Sequence, residues 1–230
     1  MVYKSEKSAS LLVKELVLKN DNTKVTAVIG VPKENKEVDK RIALTPESVA
    51  LLVASGYRVL LEAGAGLSIN YSDRYYAESG AEIVATTKEV LQADIVLKIL
   101  PPTLDEVEVM KRGAVVFSFL YLHLLTKPLI ELMLKKRINA AAYELMYDDT
   151  GTSPFVTTIS EIEGSSSINL AAELLSNTHG GKGILLGGIP GISPTEVVII
   201  GAGVAGTMAA RSGMAMGASV KVFDNDINKL

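Results

Sequence analysis

The feature that most restricts this chain is a regular alternation of short β-rich runs with amphipathic runs of roughly ten residues, joined by brief turns. From "KVTAVIGVPKE" through "TPESVALLVASG", "YRVLLEAGAG", "SDRYYAESG", "AEIVA", "TKEVLQA", "DIVLKIL", "TLDEVEVMKRG", "AVVFSFLYLHL", "TKPLIELMLKKR" and "INAAAYELM", strand and helix take turns. This rhythm builds right-handed βαβ units, whose helices cover both faces of one parallel sheet. The apolar runs "DIVLKIL" and "AVVFSFL" suit strands buried on both sides. Local signals agree: Thr45 is a helix cap ahead of Pro46 at the first helical position, and Gly56 suits the stop. Ser72 opens a further short helix. The expected fold is α/β, with a Rossmann-like parallel sheet in the N-terminal domain.

After "DDTGTSPF" the texture changes. "SEIEGSSSINLAAELLSN" reads as one long connecting helix, and "THGGKGILLGGIPGISP" as a loose, glycine-rich linker. A second α/β unit begins at Thr195. The expected division is an N-terminal extension over 1–24, amphipathic and helical, then a first α/β domain over 25–158. Residues 159–230 form the connecting helix and the first half of a Rossmann nucleotide-binding domain.

Within that last segment, Gly201, Gly203 and Gly206 form G-x-G-x-x-G. The strand "EVVII" precedes the turn, the helix "VAGTMAARSGMAMG" follows it, and the strand "SVKVFD" comes next. The first glycine permits the tight turn, the second lets a diphosphate approach the backbone, and the third lets helix and strand pack closely. Asp224, at the end of the second strand, stands where a carboxylate binds a ribose hydroxyl. It favours NAD over NADP, because it would repel a 2′-phosphate. The competing reading is a tight turn with no cofactor, and Lys221 and Lys229 lie near enough to soften the preference.

Composition removes other classes. The 230 residues carry a net charge of −3, too small to suggest a nucleic-acid partner. With no cysteine, thiolate nucleophiles, disulfides and cysteine-ligated metals are excluded, and two histidines do not make a histidine-rich metal site. The N-terminal residues do not read as a signal peptide, and no run approaches a membrane span. A cytoplasmic protein is expected, with no metal.

Three polar residues stand out at expected strand ends, where open α/β sheets bind ligands. Arg41 lies in "KRIALTP", Lys98 inside "DIVLKIL", and His123 in "FLYLHLL". A lysine in a buried strand needs a partner, so Lys98 also reads as a structural ion pair or a side chain reaching the sheet end. His123 also reads as a satisfied core histidine.

Together, "GVPKE…RIALTPESVALLVASGYRVLLEAGAG", "YSDRYYAESGAEIV", "ADIVLKI", "YLHL", "ISEIEG" and "GGKGILLGGIPGISPTEVVIIGAGVAGTMAAR" resemble the alanine dehydrogenase and pyridine-nucleotide transhydrogenase family. The resemblance covers residues 25–230, and "YLHL" favours an alanine dehydrogenase. It implies hydride transfer from the α-carbon of L-alanine to NAD, hydrolysis of the resulting imine, and release of pyruvate and ammonia. It also implies that Arg41 binds the substrate carboxylate and that His123 is the acid/base. Ser160 would touch the cofactor, with Asp224 and Lys229 at the adenosine ribose. A homo-oligomer is expected.

The family pattern is not met everywhere. A K-x-K pair is usual in the strand, but here Leu100 replaces the second lysine, which leaves Lys98 as the candidate substrate contact, since residues two apart share a strand face. The spacing from Gly113 to His123 is two residues longer than usual, so Tyr121 is an alternative occupant of the histidine's place. The family's chain continues past residue 230. On that ground the chain is expected to be a fragment, inactive alone, with a sticky unfinished sheet edge. Two alternatives stand beside the main reading: a transhydrogenase α-subunit fragment, part of a membrane complex, and a non-catalytic oligomerisation or binding module.

Overall fold

A computed structural model describes residues 27–230; the helix expected within residues 1–24 lies outside them. The chain forms two compact units. The first runs to Ser118 and resumes over Leu124–Ala140; the second comprises Phe119–His123 and Ala141–Leu230.

In chain order the first unit's elements are β1 (Val28–Val31), α1 (Pro46–Ala54), β2 (Arg58–Glu62), α2 (Asp73–Glu78), β3 (Glu82–Val84), α3 (Thr87–Val90), β4 (Ile95–Leu97), α4 (Leu104–Val109), β5 (Val115–Ser118), α5 (Lys127–Lys136) and β6 (Asn139–Ala142). The sheet order is β3-β2-β1-β4-β5-β6. Strand β1 pairs in parallel with β2 and β4, β2 with β3, and β4 with β5. This is a doubly wound order, which reverses direction between β1 and β4 and leaves a crevice at their carboxyl ends.

Helices cover both faces, as the alternation predicts. On one face Ile29, Val31, Val59 and Leu61 pack with Val49 of α1 and Tyr76 of α2, and Ile95 and Leu97 join them. On the other face Val96 and Val116 pack with Val107 of α4 and with Leu129 and Met133 of α5. The side chains of β4 thus alternate between two cores, which is why its sequence is apolar throughout. Tyr76 is wholly enclosed; its hydroxyl donates to Leu44 O at 2.9 Å, and burial pushes its pKa up to about 12.

Capping agrees with the sequence. Thr45 caps α1 by accepting from Ser48 N, and Pro46 opens the helix. Thr103 and Glu106 form a reciprocal capping box on α4. The other end of α4 is closed by Lys136 of α5, whose ammonium donates to the carbonyls of Val107, Glu108 and Met110. A cation there satisfies carbonyls that the helix leaves unpaired and complements its dipole.

The strands are shorter than the sequence suggests. Strand β4 ends at Leu97, so Lys98 lies just beyond it, though its N–H still donates to Phe117 O at 2.9 Å. Strand β5 ends at Ser118, and Leu122–Leu124 form a 3-10 turn. Tyr121 takes a positive φ of 45°, which breaks the extended run. Tyr121 and His123, expected within an extended run, therefore lie beyond the strand.

The second unit contains α6 (Pro154–Leu175), β7 (Glu196–Ile200), α7 (Val204–Ala215) and β8 (Ser219–Phe223), with β7 and β8 paired in parallel. Ile168 of α6, Leu186 of the glycine-rich linker and Ala209 of α7 form its core.

Gly30 sits beneath α3: a Cβ there would lie 2.3 Å from Val90 O. Gly30→Ala must move α3 off the sheet, and we expect a loss of about 1–3 kcal/mol, read as a lower denaturation midpoint.

Candidate functional site

The glycine turn between β7 and α7 assigns each glycine a separate task. Gly201 has φ of 105°, a conformation open to glycine and costly for other residues. Gly203 is the N-cap of α7, and a Cβ there would meet nothing within 4 Å. Its surface is open to an incoming group. A Cβ on Gly206, in contrast, would lie 1.8 Å from Gly201 O, so helix and turn touch backbone to backbone.

Asp224 closes the turn from the end of β8. Its Oδ2 accepts from Ala202 N at 2.6 Å and its Oδ1 from Asp226 N at 2.8 Å. These bonds, the one from Asp226 first, hold the carboxyl below the usual carboxylate range. Each oxygen keeps acceptor capacity for another donor. The first-turn N–H groups of α7 have no partner within the helix and carry its positive dipole end.

The long helix α6 crosses α7 at this point. A Cβ on Gly164 would lie 2.2 Å from Ala205 O, so glycine is what permits the approach. One turn earlier on α6 come Ser160 and Glu161. A cleft of about 390 Å³ is lined by Glu161, Gly203, Thr207, Met208, Arg211 and Lys229, together with Ala202 and Val204. The structure thus gathers Gly201, Gly203, Gly206 and Asp224 into one turn, with Lys229 on the cleft beside it. Ser160 is half-buried and adjacent in sequence to Glu161. Open backbone at Gly203, a helix N-terminus and two cations, Arg211 and Lys229, fit a dinucleotide's diphosphate; Asp224 fits a sugar hydroxyl. Arg211 was not singled out from the sequence, although its spacing from Val204 and Thr207 puts all three on one helical face.

Phe119–His123 belongs to this same unit. The Phe119 ring stacks on Tyr121 at 5.8 Å and meets Tyr143 edge-on at 5.3 Å. Tyr143 in turn contacts Phe155, at the start of α6, at 4.6 Å. His123 stands edge-on to Tyr121 at 6.5 Å and is exposed, so it is not a core histidine.

In the first unit, Arg41 follows β1 and Lys98 follows β4, at the carboxyl ends of the two strands that flank the reversal. Arg41 docks on Asp39, with Nη2–Oδ2 at 2.6 Å and Nε–Oδ1 at 3.0 Å. Hydrogen bonding from that side chain lowers the Asp39 pKa. Lys98 is buried and takes two carboxylates, Glu106 by a short contact and Glu34 at 3.8 Å. Glu34 Oε1 also accepts from Ile99 N at 2.6 Å. Lys98 therefore makes a structural ion pair, one of the readings its burial suggested. Glu106 serves twice, because its other oxygen accepts from Thr103 N at 2.7 Å in the capping box. Neither glutamate was foreseen as a partner of Lys98. Among the described residues no group of His, Cys, Asp and Glu side chains could hold a metal ion, and no helix is long and apolar enough to cross a membrane.

The glycines separate folding from binding. We expect Gly206→Ala to cost about 2–3 kcal/mol by overpacking, and Gly203→Ala under about 1 kcal/mol, in paired thermal melts. Burial raises the Glu34 pKa from 4.5, against the opposing pull of Lys98. The folded state then keeps a proton that the unfolded chain has released. Stability is fully present below pH 4.5 and declines as pH rises through the raised value. Glu34→Gln should remove that decline from a series of urea midpoints measured from about pH 4 to about pH 8.

Residues 30–163 match the family model described as alanine dehydrogenase/PNT, N-terminal domain, and residues 167–230 match its C-terminal domain. An alanine dehydrogenase of Methanococcus maripaludis is 43% identical over 205 residues, covering 88% of this chain and 54% of that protein. One from Bacillus subtilis is 42% identical over 204 residues, covering 88% and 53%. Among solved structures, an L-alanine dehydrogenase superposes with a TM-score of 0.82 at 36% identity, covering 88% of this chain and 56% of that one. A transhydrogenase from Sinorhizobium meliloti gives 0.76 at 25% identity, covering 88% and 57%. The chain spans about half the length of the curated relatives it matches. The doubly wound sheet, the glycine turn with its carboxylate and these matches agree: the chain belongs to the alanine dehydrogenase/pyridine-nucleotide transhydrogenase family.

Proposed function

We propose that this chain supplies the substrate domain, residues 25–158, and the opening of the nucleotide domain, residues 159–230, of an NAD-dependent alanine dehydrogenase. The reaction is oxidative deamination of L-alanine to pyruvate and ammonia. The observation that carries the reading is the open backbone at Gly203 beside a carboxylate, Asp224, bonded to Ala202 N at 2.6 Å. Between the two solved structures, the higher identity to the L-alanine dehydrogenase, 36% against 25% for the transhydrogenase, favours this substrate over hydride exchange between nucleotides.

In this reading the first-turn amides of α7 hold the diphosphate, Asp224 accepts from the adenosine ribose, and Lys229 and Ser160 flank the cofactor. A nicotinamide held there would supply the hydride acceptor for the substrate's α-carbon. Arg41 presents a planar fork to the substrate carboxylate, a geometry that two oxygens can satisfy together. Asp39 holds that fork in place by its bonds to Nε and Nη2. Lys98 keeps donor capacity beyond its bond to Glu106, so its buried ammonium can meet the substrate while still paired with the two glutamates. His123 takes the proton lost as the amine becomes an imine and returns one as water adds. A cytoplasmic homo-oligomer completes the proposal.

Titration of this chain with NADH, followed by nicotinamide fluorescence, tests the cofactor half. Saturable binding is expected, weakened roughly tenfold or more by Gly203→Ala while folding persists. No binding by a folded wild-type chain would sink the cofactor assignment. In the full-length enzyme containing this segment, Arg41→Lys should raise KM for L-alanine roughly tenfold, through loss of a charge-assisted bond. Hydride exchange between NADH and an NADP analogue, without turnover of alanine, would transfer the reading to a transhydrogenase.

A further inference from the structure

The segment Phe119–His123 leaves the sheet and turns back without a strand to hold it. Its backbone is held instead by one side chain. The carboxylate of Glu144, in the 3-10 turn Tyr143–Leu145 after β6, accepts from two consecutive N–H groups. Oε1 accepts from Leu120 N at 3.0 Å and from Tyr121 N at 2.7 Å, and Oε2 lies 3.2 Å from Leu120 N. These two amides help compensate the partly buried charge of Glu144.

The clamp falls at the strained point of the segment. Tyr121 has φ of 45°, a left-handed conformation that is unfavourable for a tyrosine. Two consecutive N–H groups converge on one anion only when the backbone turns sharply, and here the turn is made at Tyr121. Charge-assisted bonds from both amides are strong enough to offset that cost. The turn then lays the Tyr121 ring flat on Phe119, and His123 follows two residues on, edge-on to Tyr121. Tyr143, next to Glu144, packs on Phe119 and on Phe155 of α6, which ties the clamp to the helix that carries Ser160.

We infer that Glu144 is a positioning residue: its carboxylate holds Tyr121 in the left-handed conformation and thereby sets where the His123 ring stands. This rests on the reading of His123 as the acid/base group. Glu144 touches neither substrate nor cofactor in this assignment; it acts through the backbone of Leu120 and Tyr121.

The test compares the 230-residue chain with its Glu144→Gln and Glu144→Leu variants by amide hydrogen exchange and NOE spectroscopy. In Glu144→Leu, exchange at Leu120 and Tyr121 should accelerate about tenfold or more, and the Phe119–Tyr121 ring NOEs should fade. Amides of Ala209 and Ala210, in the core of α7, should be unaffected. Glu144→Gln keeps one acceptor oxygen and should fall between the two. In the full-length enzyme, Glu144→Gln should lower kcat by up to about 100-fold and leave KM for NAD unchanged, because only the reacting ring is displaced. Unaltered exchange at both amides overturns the inference, and Glu144→Gln decides it if the leucine variant does not fold. Loosened amides with full kcat overturn the positioning role. Turnover that survives His123→Asn identifies a different failure, that of the acid/base reading, and leaves the exchange result to judge the clamp by itself.

Discussion

The second unit depends on a backbone contact that only glycine allows. Where α6 passes α7, the missing side chain of Gly164 admits the carbonyl of Ala205 to within 2.2 Å of the place a Cβ would occupy. Interiors are packed closely enough that such a contact cannot be enlarged without moving a whole helix. The approach brings the early turns of α6 beside the mouth of the glycine turn, so Glu161 shares a cleft with Gly203 and Lys229. It also carries Phe155 into contact with Tyr143, and through Tyr143 the ring series reaches Phe119, Tyr121 and His123. Helix α6 thus touches both the glycine turn and, through Phe155 and Tyr143, the Phe119–His123 segment.

The first unit solves a different problem, a lysine buried at the carboxyl edge of its sheet. Lys98 is 3% exposed, and removing an ammonium from water at that depth is costly without a counter-charge. Two carboxylates meet it, one from the loop after β1 and one from the first turn of α4. Two acids on one base leave a surplus of negative charge, which is consistent with burial raising the Glu34 pKa despite the lysine nearby. The cluster lies at the reversal of strand order, where a doubly wound sheet offers its crevice. The same position is where Leu100 replaces a lysine that the family pattern leads one to expect.

How much of this was legible in the residues depends on the range of the interaction. The alternation of elements, the cap at Thr45 and the glycine turn are written in spacings of a few residues. The ends of β4 and β5 were not legible, because an apolar run continues past the last ladder bond. The left-handed Tyr121 carries no local mark, since the residue itself disfavours that conformation. Nor do the partners of Lys98: Glu34 lies 64 residues before it, and nothing near either residue announces the pair. Arg211 was within reach, because it repeats the helical face of Val204 and Thr207.

By itself, then, the sequence determined the class of fold, the chemistry available to the glycine turn, and the family. Each of these rests on hydrogen bonds, dihedral preferences and periodicities that neighbours along the chain decide. The tertiary structure alone decided the strand order that puts β1 beside β4, the crossing at Gly164, the anion that holds Leu120 and Tyr121, and the paired state of Lys98. Those are contacts between residues distant in sequence. Their energies come from burial and close approach, and a charge or a missing Cβ acquires its meaning only when the chain has brought its partner to it.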